Sequence, residues 1–246
     1  MFIMLFDILA IKYKKRLIMN IALIVAAGSG SRMENASKPK QFLLVKEKPL
    51  MLYSVKAFQM HENIDAIVIV TNTSYIEQVK EWCKEYQLNK VRLVVSGGIT
   101  RQESVCHGLE AVKSISLDPE NDVVLIHDSA RPLVDKAIIT ANITACNQYG
   151  ATCTAIKVKD TIARSLNGQT IGGVANRQEL YQCQTPQAFK LSLILAAHAQ
   201  SKDNIATDDA QLVLALGKDV YLVDGNSLNF KITTDADLLL LNALLK

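Results

Sequence analysis

The sequence reads as an α/β protein: a Rossmann-like, mostly parallel sheet with helices on both faces and an inserted β-arm for dimerisation. Three features lead there. Short apolar runs alternate with helical periodicity along most of the 246 residues, the pattern of strands covered on both faces. Apolar residues make up 49% of the chain, enough for a continuous core, and charged residues 21%, which excludes global disorder. One stretch, 161–187, breaks the rhythm around a hairpin-type turn, Leu166-Asn167-Gly168-Gln169.

In chain order, the apolar runs predict strands at 21–25, 66–71, 91–95, 123–127 and 151–158, with a shorter one at 220–223. Helical periodicity between them predicts helices near 49–60, 75–86, 102–113 and 136–149. Gly150 and Gly217 follow apolar-periodic helices, where a left-handed cap is expected. Residues 19–246 therefore read as a single domain carrying a β-arm at about 159–187. A hairpin inserted into such a domain must bury one face, and a second copy of the chain is the expected cover, giving a homodimer.

Residues 1–18 are treated apart. Their apolar stretch precedes Lys12, Lys14, Lys15 and Arg16, the reverse of a secretory signal, and is too short to span a bilayer. Met19 stands directly before the first strand, so we read the extension as the product of an upstream start codon, ahead of a weak membrane-surface tether. The net charge of +3 gives no support for a nucleic-acid surface. The five cysteines (Cys83, Cys106, Cys146, Cys153 and Cys183) are odd in number, form no CxxC spacing and lie away from histidines at ligand spacing. A cytoplasmic protein with free thiols, no zinc site, no membrane and no nucleic-acid partner is expected.

Ligands of open parallel sheets collect at the carboxyl ends of the strands, and unusual polar groups fall there. The first strand runs into Ala26-Ala27-Gly28-Ser29-Gly30-Ser31-Arg32-Met33, with Pro39-Lys40-Gln41 close behind. Small residues expose backbone N–H groups that can wrap a phosphate chain, and Arg32 and Lys40 supply positive charge beside it. A Walker loop is absent, and a dinucleotide fingerprint fails because Met33 replaces its third Gly and the second strand ends in Thr71-Asn72. Strand 91–95 leads into Ser96-Gly97-Gly98, Arg101 and Ser104; strand 123–127 leads into Asp128-Ser129-Ala130-Arg131-Pro132. Asp128 is a hard oxygen ligand suited to Mg²⁺ and Arg131 a fork for a second phosphate, with a plain ion pair as the alternative. Ser104 reads equally as a helix-start residue or a base and ribose contact, and Gly97-Gly98 as a turn or a close approach to a flat ring. His127 reads as a packed residue rather than a base.

These segments continue in Lys159-Asp160-Thr161, Arg177, Gln184-Thr185-Pro186-Gln187, Thr207-Asp208 and Asn229-Phe230-Lys231-Ile232-Thr233. Jointly, and in order over residues 19–246, they resemble the 2-C-methyl-D-erythritol 4-phosphate cytidylyltransferases. The resemblance implies a single cytidylyltransferase domain that transfers CMP from CTP to 2-C-methyl-D-erythritol 4-phosphate, releasing pyrophosphate, in isoprenoid precursor biosynthesis by the non-mevalonate pathway. It implies that backbone groups of Ala26, Ala27, Gly28, Ser29, Gly30 and Ser31 bind the triphosphate, and that Gly98 and Ser104 recognise cytosine and ribose. Arg32, Lys40 and Lys231 are then the catalytic cations. Asp128, Arg131 and Thr207 hold the acceptor with Lys231, while Thr161 and Arg177 reach from the arm into the partner's site. Mg²⁺ is the implied cofactor, with Asp128 as its ligand. Ile99 departs from the family, which often has an acidic residue there. Two other readings stay open: ribitol 5-phosphate as acceptor, and a non-catalytic nucleotide-binding module.

Overall fold

The structure is a computed structural model and describes residues 18–28, 39–201 and 206–245. Residues 1–17 and four predicted loop residues, Ser29, Gly30, Ser31 and Arg32, lie outside the described residues. In order, the elements are β1 (Asn20–Ala26), a small hairpin of β2 (Leu44–Val45) and β3 (Lys48–Pro49), α1 (Leu50–Gln59), β4 (Ala66–Thr71), α2 (Ile76–Glu85), β5 (Val91–Ser96) and α3 (Arg101–Ile115). There follow β6 (Val123–Asp128), α4 (Lys136–Tyr149), β7 (Ala151–Lys157), β8 (Ala163–Arg164), β9 (Gly173–Val174) and β10 (Tyr181–Lys190). The chain closes with α5 (Leu191–Gln200), α6 (Asp209–Ala215), β11 (Tyr221–Asp224) and α7 (Asp235–Leu244).

Seven strands form one sheet in the order β11-β7-β10-β6-β1-β4-β5. β1 lies at its heart, parallel to both β4 and β6, in a register that sets Val25 beside Val70 and Asp128. The alternation of side chains along β1 explains why helices cover both faces. Ala22 and Ile24 pack with Leu52 and Phe58 of α1, Val79 of α2 and Ile139 of α4. Ile21 and Leu23 pack on the other face with Val105 and Leu109 of α3, Ile194 of α5 and Val213 of α6. Burying these chains fully stabilises the fold by roughly 1.5–3 kcal/mol each relative to exposure. Gly150, just past α4, has φ +88, and Gly217, past α6, has φ +70, as the cap positions required.

One strand of the main sheet was not expected. β10 runs antiparallel between β6 and β7, so the arm anticipated over 159–187 is shorter, because residues 181–187 belong to the main sheet. Its sequence hides the strand. Gln184, Thr185 and Gln187 are buried polar residues whose hydrogen bonds replace apolar packing, and Pro186 interrupts the pattern. The hairpin itself forms from β8 and β9. Its tip is an Asn167 turn in which Oδ1 accepts from the backbone N–H of Gln169 and Thr170. Helices α5 and α7 also went unforeseen.

Candidate active site

A cavity of about 440 Å³ opens at the carboxyl ends of β1, β4, β5 and β6. Ala27, Gly28, Lys40, Gly98, Ser104, Asp128 and Lys231 line it, so seven of the predicted residues meet in one place. Among its described lining residues are three cations, Lys40, Arg101 and Lys231, against one carboxylate, Asp128. Such a balance suits a polyanionic ligand.

The loop after β1 is held from behind. Gln41, 2% exposed, uses both amide N–H groups on backbone oxygens, donating to Ala26 O at 2.7 Å and Gly28 O at 2.8 Å. Ala26 itself is buried in β1 and does not line the cavity. Gly97 permits close approach on the other side: a Cβ there would lie 2.4 Å from Ala27 Cβ and 2.7 Å from Ser104 Oγ. The Ser104 hydroxyl accepts from Gly98 N–H at 3.1 Å and donates to Thr100 O at 2.9 Å. Thr100 starts α3 through a capping box with Glu103, and Glu103 Oε2 also takes the Ile99 N–H at 2.7 Å. The Ile99 side chain is fully exposed at the rim.

Asp128 is the electrostatic centre. Lys231 Nζ donates to its Oδ2 at 2.6 Å and Arg101 Nε to its Oδ1 at 3.3 Å. Arg101 Nη1 lies 2.8 Å from Oδ2 of Asp209, which is almost fully buried, and His198 Nε2 is 3.3 Å from the other oxygen of Asp209. Burial alone would raise the Asp128 pKa, but the Arg101 and Lys231 charges outweigh it and hold the carboxyl well below its usual range. Arg101 is likewise opposed by burial and held protonated by Asp209 and Asp128. Lys40 Nζ donates to Ile232 O at 2.8 Å, next to Lys231 in the chain. Both catalytic candidates thus rest on groups of the same wall.

Arg131 sits beside the cavity rather than in its lining. Its Nη1 donates to Asn229 O at 2.8 Å and Nη2 to Cys183 O at 3.4 Å, while Nε is buried with no hydrogen-bond partner among the described residues. Thr207 precedes α6 and is tied to Gln211 Oε1 through its N–H and hydroxyl. Thr161 and Arg177 are exposed on the arm, where Arg177 Nη1 donates to Lys159 O at 2.8 Å. None of these three lines the cavity. Asn72, Thr100 and Ser129 do, without having been singled out. Only position at a strand end could have marked Asn72 and Ser129.

His127 is no base: it is fully buried, Nε2 contacts Arg131 O at 3.1 Å and Nδ1 contacts Thr185 Oγ1 at 3.1 Å. Burial lowers its pKa to about 4. The cysteines are free, and burial pushes the thiols of Cys83 and Cys146 up to about 11 and about 12, where they are not nucleophiles at neutral pH. Among the described residues, no group of three or more His, Cys, Asp or Glu could hold a metal ion. Asp128, with a cation on each oxygen, is a single hard oxygen donor that fits Mg²⁺ only if other ligands complete its shell. No helix among the described residues is long and apolar enough to cross a membrane.

Comparison with known proteins gives the same picture. A protein from Clostridium botulinum (strain Okra / Type B1), a 2-C-methyl-D-erythritol 4-phosphate cytidylyltransferase, is 45% identical over 224 residues, covering 90% of this chain and 95% of its own. A ribitol-5-phosphate cytidylyltransferase from Vibrio parahaemolyticus is 37% identical over 230 residues, covering 92% and 96%. The crystal structure of 4-diphosphocytidyl-2C-methyl-D-erythritol synthase from Anaerococcus prevotii matches with a TM-score of 0.79 at 30% identity, covering 93% of this chain and 96% of that one. The family model for 2-C-methyl-D-erythritol 4-phosphate cytidylyltransferase matches residues 20–246, and the chain belongs to that family.

Proposed function

We propose that this protein transfers CMP from CTP to 2-C-methyl-D-erythritol 4-phosphate, forming 4-diphosphocytidyl-2-C-methyl-D-erythritol and pyrophosphate. The observation that carries this reading is the convergence of Lys40, Lys231 and Arg101 around Asp128 at the mouth of the β1 loop. A phosphate oxygen of the acceptor attacks the α-phosphorus of CTP; that P–O bond forms as the bond to the bridging oxygen of pyrophosphate breaks. The monoester is largely a dianion near neutral pH, so no base is required, in keeping with a His127 whose two nitrogens are both engaged. Repulsion between anions and charge building on the α-phosphoryl oxygens set the barrier, and preorganised cations lower it.

In this reading the amides of Ala27 and Gly28 cradle the triphosphate with Ser29, Gly30, Ser31 and Arg32. Lys40 and Lys231 exchange Ile232 O and Asp128 for phosphate oxygens. Gly98 and Ser104 bound the cytosine and ribose. Asp128, Arg131 and Thr207 take the acceptor. Asp128 would hold Mg²⁺ beside the phosphates, where the ion would supply further charge neutralisation. Thr161 and Arg177 complete the site of a second copy across a homodimer, an arrangement favoured by apolar Leu166, Ile171 and Val174 standing exposed on the hairpin. Free thiols support a cytoplasmic setting.

The 37% identity to a ribitol-5-phosphate cytidylyltransferase makes that acceptor the second reading. Incubation with CTP, Mg²⁺ and each polyol phosphate, with pyrophosphate measured, separates them. Release with methylerythritol phosphate is expected; turnover with ribitol 5-phosphate alone overturns the first reading.

A further inference from the structure

We infer that Thr185 is a positioning residue for the reaction, acting with His127 to fix the turn that presents Asp128 and Arg131. The inference rests on the cytidylyl-transfer reading above.

β10 and β6 pair from Lys190↔Val123 to Gln187↔Ile126, and the ladder stops there. The next residue of β10, Pro186, has no N–H to donate. The Thr185 hydroxyl takes over, accepting the buried Asp128 N–H at 3.0 Å. Its own proton remains to be donated, and His127 Nδ1 lies 3.1 Å away. The tautomer follows from the far side of the ring. Nε2 is 3.1 Å from the carbonyl oxygen of Arg131, which can only accept. A neutral imidazole must therefore carry its single proton on Nε2, leaving Nδ1 to accept from Thr185.

All the hydrogen bonds thus run in one sense: Asp128 N–H to Thr185, Thr185 O–H to His127, His127 Nε2–H to Arg131 C=O. They close around the turn from both ends, and the turn is braced further by Arg131 N–H on Asp128 O at 3.0 Å and Ile232 N–H on Ala130 O at 2.8 Å. The Thr185 carbonyl accepts from Asn229 Nδ2 at 2.9 Å, and the Asn229 carbonyl in turn accepts from Arg131 Nη1 at 2.8 Å. One threonine therefore ties together the turn that carries Asp128 and Arg131 and the segment that carries Lys231. Among the described residues, neither Ala27 nor Gly28 bonds to this chain of donors, so the effect falls mainly on the acceptor side and on the chemical step.

Steady-state kinetics of Thr185→Val and Thr185→Ser, with ¹⁵N NMR of His127 in the wild-type protein, test this. Thr185→Val lowers kcat about ten- to a hundredfold through misplacement of Asp128, with a smaller effect on KM for CTP, and Thr185→Ser restores turnover. His127 carries its proton on Nε2. Should the valine variant not fold, Thr185→Ala, which removes any crowding by the added methyl, is expected to give the same split between kcat and KM. Wild-type kcat in the variant lacking the hydroxyl, a serine variant as slow as the valine one, or an Nδ1–H tautomer overturns the inference. A wild-type protein that transfers no CMP instead sinks the functional reading, and the tautomer still decides the hydrogen-bond chain.

Discussion

Acidification is expected to destabilise this protein through His127 before its carboxylates titrate. The side chain is fully buried and neutral, and burial, the largest cause, lowers its pKa from 6.5 to about 4. In the unfolded chain it titrates near the ordinary value, so between the two values the unfolded state binds the extra proton. Stability is then fully present above pH 6.5 and falls as the pH drops toward about 4. At about 1.4 kcal/mol per pH unit, the whole span is worth about 3 kcal/mol, of which about 2.5 kcal/mol is lost between about pH 7.5 and about pH 4.5. Asp128, whose pKa is depressed, loses its contribution only below the usual carboxylate range, outside this window. Urea unfolding of wild type and His127→Gln across the window isolates the term, because the other titrating groups cancel in the difference. The glutamine variant is expected to be less stable at neutral pH but flatter toward acid. Parallel pH profiles for the two proteins would refute the reasoning.

Other expectations concern the site. Lys40→Ala and Lys231→Ala each remove a charge-assisted contact of about 1.5–3 kcal/mol, so kcat falls about ten- to a hundredfold in folded protein; wild-type turnover contradicts their assignment. Gln41→Leu strips two backbone oxygens of their donor, and urea unfolding should register a loss of about 2 kcal/mol together with a raised KM for CTP. Unchanged stability and KM would show that the loop holds its shape unaided. Mixing inactive Asp128→Asn with inactive Arg177→Ala should regenerate up to about a quarter of wild-type activity if each site draws on both subunits. A mixture as inactive as its components rules out a shared site.

How much of this was legible in the sequence depended on what held each piece in place. The parallel strands are near-continuous apolar runs because helices cover both faces, and β1, β4 and β6 could be read from that alone. The cavity residues Gly28, Gly98 and Asp128 were legible because each follows the carboxyl end of such a strand, whereas Lys231 was marked only by the family resemblance. β10 was not legible, since Gln184, Thr185 and Gln187 make up half of its buried run ahead of Ala188 and Phe189, and their polar pattern reads as loop. The ties among Lys231, Arg101, Asp128 and Asp209 span up to 108 positions of chain, from Arg101 to Asp209, and no local pattern encodes them. Arg101 accordingly read only as a polar group beyond a strand end, whereas it bridges two buried carboxylates.

A crystal structure grown with CTP and Mg²⁺ tests the central claim most directly. The triphosphate is expected against the Ala27–Gly28 amides, with Lys40 withdrawn from Ile232 O and Lys231 from Asp128 to meet phosphate oxygens. A triphosphate bound elsewhere, with the 2.8 Å and 2.6 Å contacts of those two lysines intact, would contradict it.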